Sequence, residues 1–532
     1  MDRQTVEWWK NELEQGEDYK KKFGDSENWE QYSEWYRANF SKDVLPYNLI
    51  FSMARTMIPN TYLRNPYVTV TSDSPGKEAE AAVLEAVLNK LIRVCKIKST
   101  IKKLCLDTFL FGTGIIKTGF NSEFGLVLDE TGIQQQKVKK NIEFDTRVTP
   151  GMPWALPVHP ENVLFPKGYV AENVPWIAFK VYRDLEFIKQ DKKYIKSVRE
   201  SVAPSYKRTG EDEAKFCELI EIHDRETEKV YVFETNGNKF LREDKDYLQV
   251  SGLPFISMVF NADPKSLWGT GDAKQLQELQ QEMVETKTQQ WEHRKLTLIK
   301  FLIDKNAIDR KDVDEDFLSG NVGPAIFVEG NPRDAVQTIT PNMPQDLELW
   351  TRSIRSDARE TVGFSRNQMG EFDTSSRRTA TEAAAVHRGG EIRIDERRDS
   401  VADVLVSLMR TFHIYVKEFW TSEQVVPVLG PDMVWHWISF RGNQLSGEFD
   451  FKIDPGSEMP FNKEIRRAEG KELLAMFGND PMIPNPMLLR KYVLQQYEGL
   501  NVEALLTPQQ QGSPVGMETL KKAYDNSRLP VS

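Results

Sequence analysis

From Asp272 to Leu298 the chain reads "DAKQLQELQQEMVETKTQQWEHRKLTL", with neither Gly nor Pro. Nothing in that run breaks a helix, and at 1.5 Å per residue it predicts one rod about 40 Å long. Its apolar residues are sparse. Leu276, Leu279 and Met283 make a thin stripe, and six Gln line much of the rest. A helix this polar is not held by burying a broad face in its own chain; it bridges between other bodies.

The next hundred residues repeat the theme. "FLIDKNAIDRKDVDEDFLSGNVGPAIFVEGNP" reads as a small module of short strands and turns, and a second helix is predicted from roughly Gln345 to Val362. Two helices flanking a small β module predict a pair of struts capped at their far end. "GFSRNQMGEFDTSSRR" is then a loop of about 15 residues, long enough to carry function. It feeds a capping box, Thr379-Ala-Thr-Glu382, that starts another helix. That helix runs to about Trp420, some 60 Å. Gly389 and Gly390 interrupt it, each costing about 1 kcal/mol against Ala, and predict a kink. Beyond them Val401, Val404, Leu405, Leu408, Phe412, Tyr415, Val416 and Phe419 form a strong apolar stripe. A β segment ("VWHWISF", "GEFDFKID") and a helical tail from Asn462 complete the chain.

The first half has a different texture. Its opening residues are rich in aromatics, including Trp8, Trp9, Trp29, Trp35 and Tyr36. "NPYVTVTSD" predicts a strand whose start Pro66 restricts, and Ser74-Pro75 opens a helix with Val83, Leu84, Val87, Leu88 and Leu91 on one face. From Phe216 to Leu241 a β-meander is predicted, with Asn236-Gly237 as a hairpin turn. The fold class is α+β.

"FGTGIIKTGF", Phe111 to Phe120, has the ingredients of a phosphate loop but not the spacing. A Walker A loop needs Gly immediately before its Lys, so that backbone N–H groups wrap the phosphate; here β-branched Ile116 precedes Lys117. Ile101, Leu104, Cys105, Thr108 and Phe109 place a helix before the stretch, so the reading is a helix ending at Gly112 and a strand after it.

Other chemistry is equally thin. The six histidines (His159, His223, His293, His387, His413, His436) are scattered, and the three cysteines (Cys95, Cys105, Cys217) lack metal spacing and read as buried thiols in a reducing compartment. "DVDEDFLSG" resembles a calcium loop through Asp312, Asp314 and Asp316, but Phe317 stands where the turn Gly belongs and Gly323 where the bidentate Glu belongs. It reads as a solvated acidic face. A net charge of −10 argues against a dedicated nucleic-acid binder. The start "MDRQTVEWWK" lacks a signal-peptide pattern, and no stretch approaches the 18 apolar residues of a membrane span. No cofactor, metal or catalytic residue is expected, and no membrane partner.

The order of parts resembles the portal proteins of tailed bacteriophages, the head-to-tail connectors. The pieces that carry it are "NLIFSMARTMIPNTYLRNPYVTV", "DTFLFGTGIIKTGF", "LWGTGDAKQLQELQQEMVETKTQQWEHRK", "RRTATEAAAVHRGGEIRIDERRDSVADVL" and "GEFDFKIDPGSEMPFNKEIRRAEGKELLAMF", spanning roughly Asn48 to Arg490. The resemblance implies an α+β wing (46–271, with a β segment at 423–460), a stem helix (272–298), a small β clip (299–344) and a second stem helix (345–362). It further implies a tunnel loop (363–378), a kinked tunnel helix (379–422) and a crown with C-terminal tail (461–532). The first 45 residues, an aromatic-rich extension, have no counterpart in it.

That family implies a dodecameric ring at one capsid vertex of the virion, assembled in the host cytoplasm. Double-stranded DNA passes through it during packaging by a terminase and during ejection. The large terminase subunit, the capsid or scaffold protein and a head-tail adaptor are the implied partners. On this mapping Arg366, Met369, Glu371, Phe372, Arg377 and Arg378 approach the DNA path, and Gly389 and Gly390 form the tunnel-helix kink. Gln277, Gln281, Lys287 and Arg294 are channel-facing candidates on the stem, and Asp312, Asp314 and Asp316 are clip candidates for terminase or adaptor. The charge pattern agrees, since a channel must not grip phosphates. Arg377, Arg378, Arg388, Arg393, Arg397 and Arg398 are nearly balanced by Glu382, Glu391, Asp395, Glu396 and Asp399. Two rivals remain: another virion ring or scaffold without a DNA channel, and a nucleotide-dependent packaging enzyme.

Overall fold

Thr5 starts the first helix, α1 (Val6–Gly24), its Oγ1 accepting from Trp8 N at 3.4 Å. The computed structural model describes residues 5–62, 66–120, 151–170, 173–204, 206–207, 215–250, 252–296, 300–303, 336–339, 346–364, 380–429 and 435–453, with 472, 475, 515–516 and 520–521. After α1 come α2 (Trp29–Tyr36) and α3 (Leu49–Thr61), the latter capped by Asn48 Oδ1 on Phe51 N at 2.8 Å. Strand β1 (Val68–Ser72) leads into α4 (Glu78–Val94). That helix begins three residues beyond Pro75, because Ser72 Oγ caps Ser74 N and Gly76 turns the chain at φ +86. Its predicted face, Val83, Leu84, Val87, Leu88 and Leu91, is buried.

α5 (Ile97–Phe111) stops at Gly112, and β2 (Thr113–Phe120) begins directly after it, so the "FGTG" stretch is a helix-to-strand turn. Gly112 has φ +85, and a Cβ there would lie 2.1 Å from the Gly269 carbonyl oxygen, so only Gly fits. Next come β3 (Pro153–Val158), β4 (Val163–Leu164), β5 (Trp176–Asp184), α6 (Leu185–Gln190), α7 (Lys196–Arg199) and β6 (Tyr206–Lys207). The meander is β7 (Lys215–Asp224), β8 (Lys229–Glu234) and β9 (Phe240–Lys245), and β10 (Phe255–Val259) closes this half. Asn236 and Gly237 lie in a five-residue β8–β9 connection rather than a two-residue turn, and the ladder is bulged at Val232/Phe233. The second half holds α8 (Asp272–Gln275), α9 (Gln277–Leu296), β11 (Lys300–Ile303), β12 (Val336–Ile339), α10 (Asp346–Val362) and α11 (Ala380–Phe419). It ends with β13 (Gln424–Leu429), β14 (Trp435–Phe440), β15 (Phe449–Ile453) and β16 (Val515–Gly516).

The chain divides into two compact units, Met1–Tyr32 with Ala54–Lys274 and Thr374–Ser532, and Ser33–Met53 with Gln275–Asp373. The larger unit is built on antiparallel sheets of order β4-β5-β7-β8-β9, with β6 also on β7, and of order β10-β2-β3. Pairs β1-β15 and β13-β14 are antiparallel too, while β16 joins β14 in parallel. Helices packed on mostly antiparallel sheets make the protein α+β. The aromatic N-terminus as far as Tyr32 belongs to this unit, and Trp9 to its core. Trp9 is fully buried, its ring 5.8 Å from Trp176 and 5.4 Å from Tyr231, and Leu13, Leu164, Ile222 and Phe233 complete the cluster. Lys20, further along α1, is buried with its Nζ donating to the carbonyls of Glu161 (2.8 Å) and Val163 (3.4 Å).

In the smaller unit α9 and α10 pack together, and β11 pairs antiparallel with β12, Lys300 opposite Ile339. The single rod read over Asp272–Leu298 is two helices, jointed at buried Leu276. The helical ladder resumes at once, because Gln280 N bonds Leu276 O at 2.8 Å.

Candidate functional site

Helix α9 has so few apolar residues that its buried positions decide what it can do. Gln280, Met283, Val284 and Thr286 are buried, and all lie on one side. Gln280 Oε1 accepts from Leu49 N (2.8 Å) and Ile50 N (3.2 Å), while its Nε2 donates to Tyr47 O (2.7 Å). One glutamine thus satisfies donors that the first turn of α3 cannot pair internally. Thr288 Oγ1 accepts from Leu45 N at 3.0 Å; Gln290 Nε2 donates to Leu347 O at 2.8 Å and Thr351 Oγ1 at 2.9 Å. Trp350 Nε1 donates to Glu282 Oε1 at 2.8 Å. The glutamines of the rod are therefore inter-segment fasteners as well as surface.

The far side of α9 carries Glu278, Gln281, Glu285, Gln289 and Glu292, all of them partly or fully exposed. Three carboxylates recur there at seven-residue spacing with no cation in the same arc. α10 is likewise covered along one side, burying Thr351, Ile354, Ala358 and Val362. It leaves Leu349 63% and Trp350 53% exposed, large apolar surface for a helix otherwise so polar.

The predicted stem candidates fall on this rod in two pairs. Gln277 and Gln281 make the first pair; Lys287, donating to Gln290 Oε1 at 3.0 Å, and exposed Arg294 make the second. Helical spacing sets the two pairs roughly 110° apart, so they do not share one face. Arg366, Met369, Glu371, Phe372, Arg377, Arg378, Asp312, Asp314 and Asp316 lie outside the described residues, as does Thr379 of the capping box. Gly389 and Gly390 sit inside α11, whose helical backbone continues through them.

The described part of α11 buries its predicted stripe from Val401 to Val416 and leaves Phe419 partly covered. Two of its arginines are engaged within the larger unit. Arg397 Nη2 donates to Asp272 Oδ1 at 2.9 Å, where Asn261 Nδ2 also donates at 3.2 Å. Burial pushes the Asp272 carboxyl above the usual range, and Arg397 offsets only part of that shift. Arg398 donates to Asp395 at 2.7 Å and to Asn60 O at 2.9 Å. Arg393 is exposed.

Sequence reasoning passed over a second polar constellation. Lys117, from the "GIIKTGF" strand, donates to Glu221 Oε1 at 3.0 Å; His223 Nε2 lies 2.9 Å from the same oxygen, and His223 Nδ1 lies 2.5 Å from Asp246 Oδ2. All four residues are buried, so an acid–histidine–acid array that could move protons is sealed from substrate. Burial alone would raise the Glu221 pKa; Lys117 and His223 outweigh it and hold it down at about 2. Burial would lower His223, yet Asp246 and Glu221 raise it. The signal is present in "ELIEIHD", where Glu221 and His223 alternate onto one face of a strand otherwise fit for a core. Among the described residues no cluster of His, Cys, Asp and Glu is arranged to hold a metal ion, and no helix is long and apolar enough to cross a membrane.

No protein-family model matches the chain, and no curated protein matches it. Among solved structures it is similar to a chain described as virion of native gene transfer agent (GTA) particle. The TM-score is 0.42 and the identity 9%, over 87% of this chain and 93% of that one. A likeness this loose carries no argument about function.

Proposed function

We propose that the chain is a portal protomer: a non-enzymatic virion protein that assembles into a ring at one capsid vertex and conducts double-stranded DNA during packaging and ejection. The observation that carries this reading is the one-sided cover of the α9–α10 pair. Each helix buries a narrow, partly polar side within its own unit and leaves a long flank open, with Leu349 and Trp350 exposed on α10. Sister copies around an axis supply the missing cover, as subunits do in cyclic oligomers. The glutamines and the row Glu278, Glu285, Glu292 give a rod that does not capture phosphates, which suits a bore that DNA must slide through. The ordered resemblance assigns α9 and α10 to a stem, the β11–β12 segment to a clip, and α11 to the tunnel helix. The terminase, the capsid or scaffold protein and an adaptor are the proposed partners.

Negative-stain images of the purified protein test the proposal. Rings with a central hole are expected, and a persistent monomer contradicts it. Rings without an opening wide enough for a duplex favour a structural ring that carries no DNA. Deleting Gly370 to Ser375 is expected to impair DNA packaging or retention while rings persist; collapse of the ring removes that segment from the tunnel role. Absence of ATP hydrolysis by the purified ring is expected, and turnover restores the packaging-enzyme reading.

A further inference from the structure

We propose that His223 is a resident imidazolium whose proton ties β7 to the turn after β9 within the six-stranded sheet, beside the Lys117–Glu221 pair that reaches the three-stranded sheet, so that this knot weakens when alkali removes it. The geometry requires two donors. Nδ1 and Nε2 each face a carboxylate oxygen, at 2.5 and 2.9 Å, and a neutral imidazole has only one N–H to give. The deprotonated ring would aim a lone pair at an oxygen anion in a site without water-level screening.

Charge counting gives the same answer. Glu221 and Asp246 bring two negative charges, Lys117 brings one positive charge, and only a protonated His223 makes the enclosed quartet neutral. The groups come from separate elements: Lys117 from β2, Glu221 and His223 from β7, and Asp246 from the turn after β9. Losing the proton therefore leaves the quartet with a net negative charge beside the Lys117–Glu221 contact between the sheets.

Among the described residues, two arginines lie near the quartet. Arg183 on β5 acts on Glu221 from the side, and Arg242 on β9 donates to Asp244 at 2.6 Å. Tyr194 before α7 and Tyr415 on α11 lie within electrostatic reach of Glu221 and Asp246 respectively, both with hydroxyls that burial keeps protonated. Asp224, next on β7, turns its carboxylate to Glu226 N and Thr227 Oγ1. Gln249 Nε2 (2.8 Å) and Leu248 N (3.1 Å) brace Asp246, and the Phe179 ring takes Lys117 on its face at 4.5 Å and packs against His223.

These groups fix the sign of the pH effect. A group whose folded pKa exceeds its unfolded value contributes stability that is complete below the unfolded pKa, about 6.5 for His, and is lost as pH rises through the folded one. The test is NMR of the wild-type protein labelled with ¹⁵N-histidine at about pH 8, where an ordinary imidazole is about 3% protonated. One histidine with both ring nitrogens protonated is expected, and that signal should vanish in His223→Gln. A spectrum in which every histidine is neutral at that pH overturns the proposal and needs no variant. As a second arm, the melting-temperature difference between wild type and His223→Gln, in which the Lys20 contribution cancels, is expected to change through an alkaline step; parallel pH curves for the two proteins also overturn the proposal.

Discussion

The larger unit encloses its charges, and the smaller unit uses neutral polar side chains for the same task. Lys117, Glu221, His223 and Asp246 form a sealed ionic knot behind sheets whose apolar faces are packed with Trp9, Trp176, Tyr231 and Phe233. In the helical pair, Gln280, Thr288 and Gln290 hold backbone groups of neighbouring segments while the outer flanks stay exposed. The difference teaches where each unit finds its stability. Enclosed charge is tolerable only when a thick apolar core fixes every partner. A thin rod fastened by amides keeps little hydrophobic surface of its own, and on the proposed function sister copies supply the rest of its cover.

The largest effect that separates the two is expected from Trp9→Ala. Removing a fully buried indole should cost the larger unit about 3–5 kcal/mol in urea unfolding. A loss confined to about 1 kcal/mol would mean that the aromatic N-terminus is an appendage rather than core.

Next is the pH response of Lys20, whose pKa burial pushes down to about 8 despite Glu17 beside it. The folded pKa lies below the unfolded one, so folding releases a proton between them and stability should rise from about pH 8 to pH 10.5, by on the order of 3 kcal/mol. Lys20→Met should abolish that rise. An unchanged slope would show that the ammonium is solvated in the native state.

Smaller again is Gln280→Ala in the helical pair, expected to cost about 1–3 kcal/mol by stranding Leu49 N, Ile50 N and Tyr47 O. Loss of protection at the start of α3 in hydrogen exchange is its signature. The smallest effect on folding is expected from Leu349→Ser, within about 0.5 kcal/mol for the isolated protomer because the side chain is mostly exposed. Particle size measured by light scattering should nevertheless fall. Intact assemblies would show that this flank is not covered by a sister copy.

Elements with a strong period were legible in the sequence. The stripe Val401–Val416 and the face Val83–Leu91 announced their helices because a single apolar side repeats at helical spacing. Gly112 announced the end of α5 because only a residue without Cβ fits that turn. The joint at Leu276 was not legible: no Gly or Pro marks it, and the helical ladder resumes with the next hydrogen bond. The role of Gln280 was hidden among identical neighbours, since a fastener and a surface glutamine differ only in what another segment presents to them. The Lys117–Glu221–His223–Asp246 knot was hidden for a related reason, Lys117 and Glu221 being 104 residues apart in the chain. The placement of Trp9 needed the strands it packs on, which bring Trp176 and Tyr231 to it.

The central claim is that α9 and α10 owe their cover to copies of the same chain. Hydrogen–deuterium exchange on assembled particles and on protomers dissociated at low concentration tests it most directly. The account predicts that amides across Gln277–Leu296 and Asp346–Val362 exchange slowly in the assembly and become much faster in the protomer, while strands such as Trp176–Asp184 stay protected in both. Equal protection of the two helices in both states would contradict it.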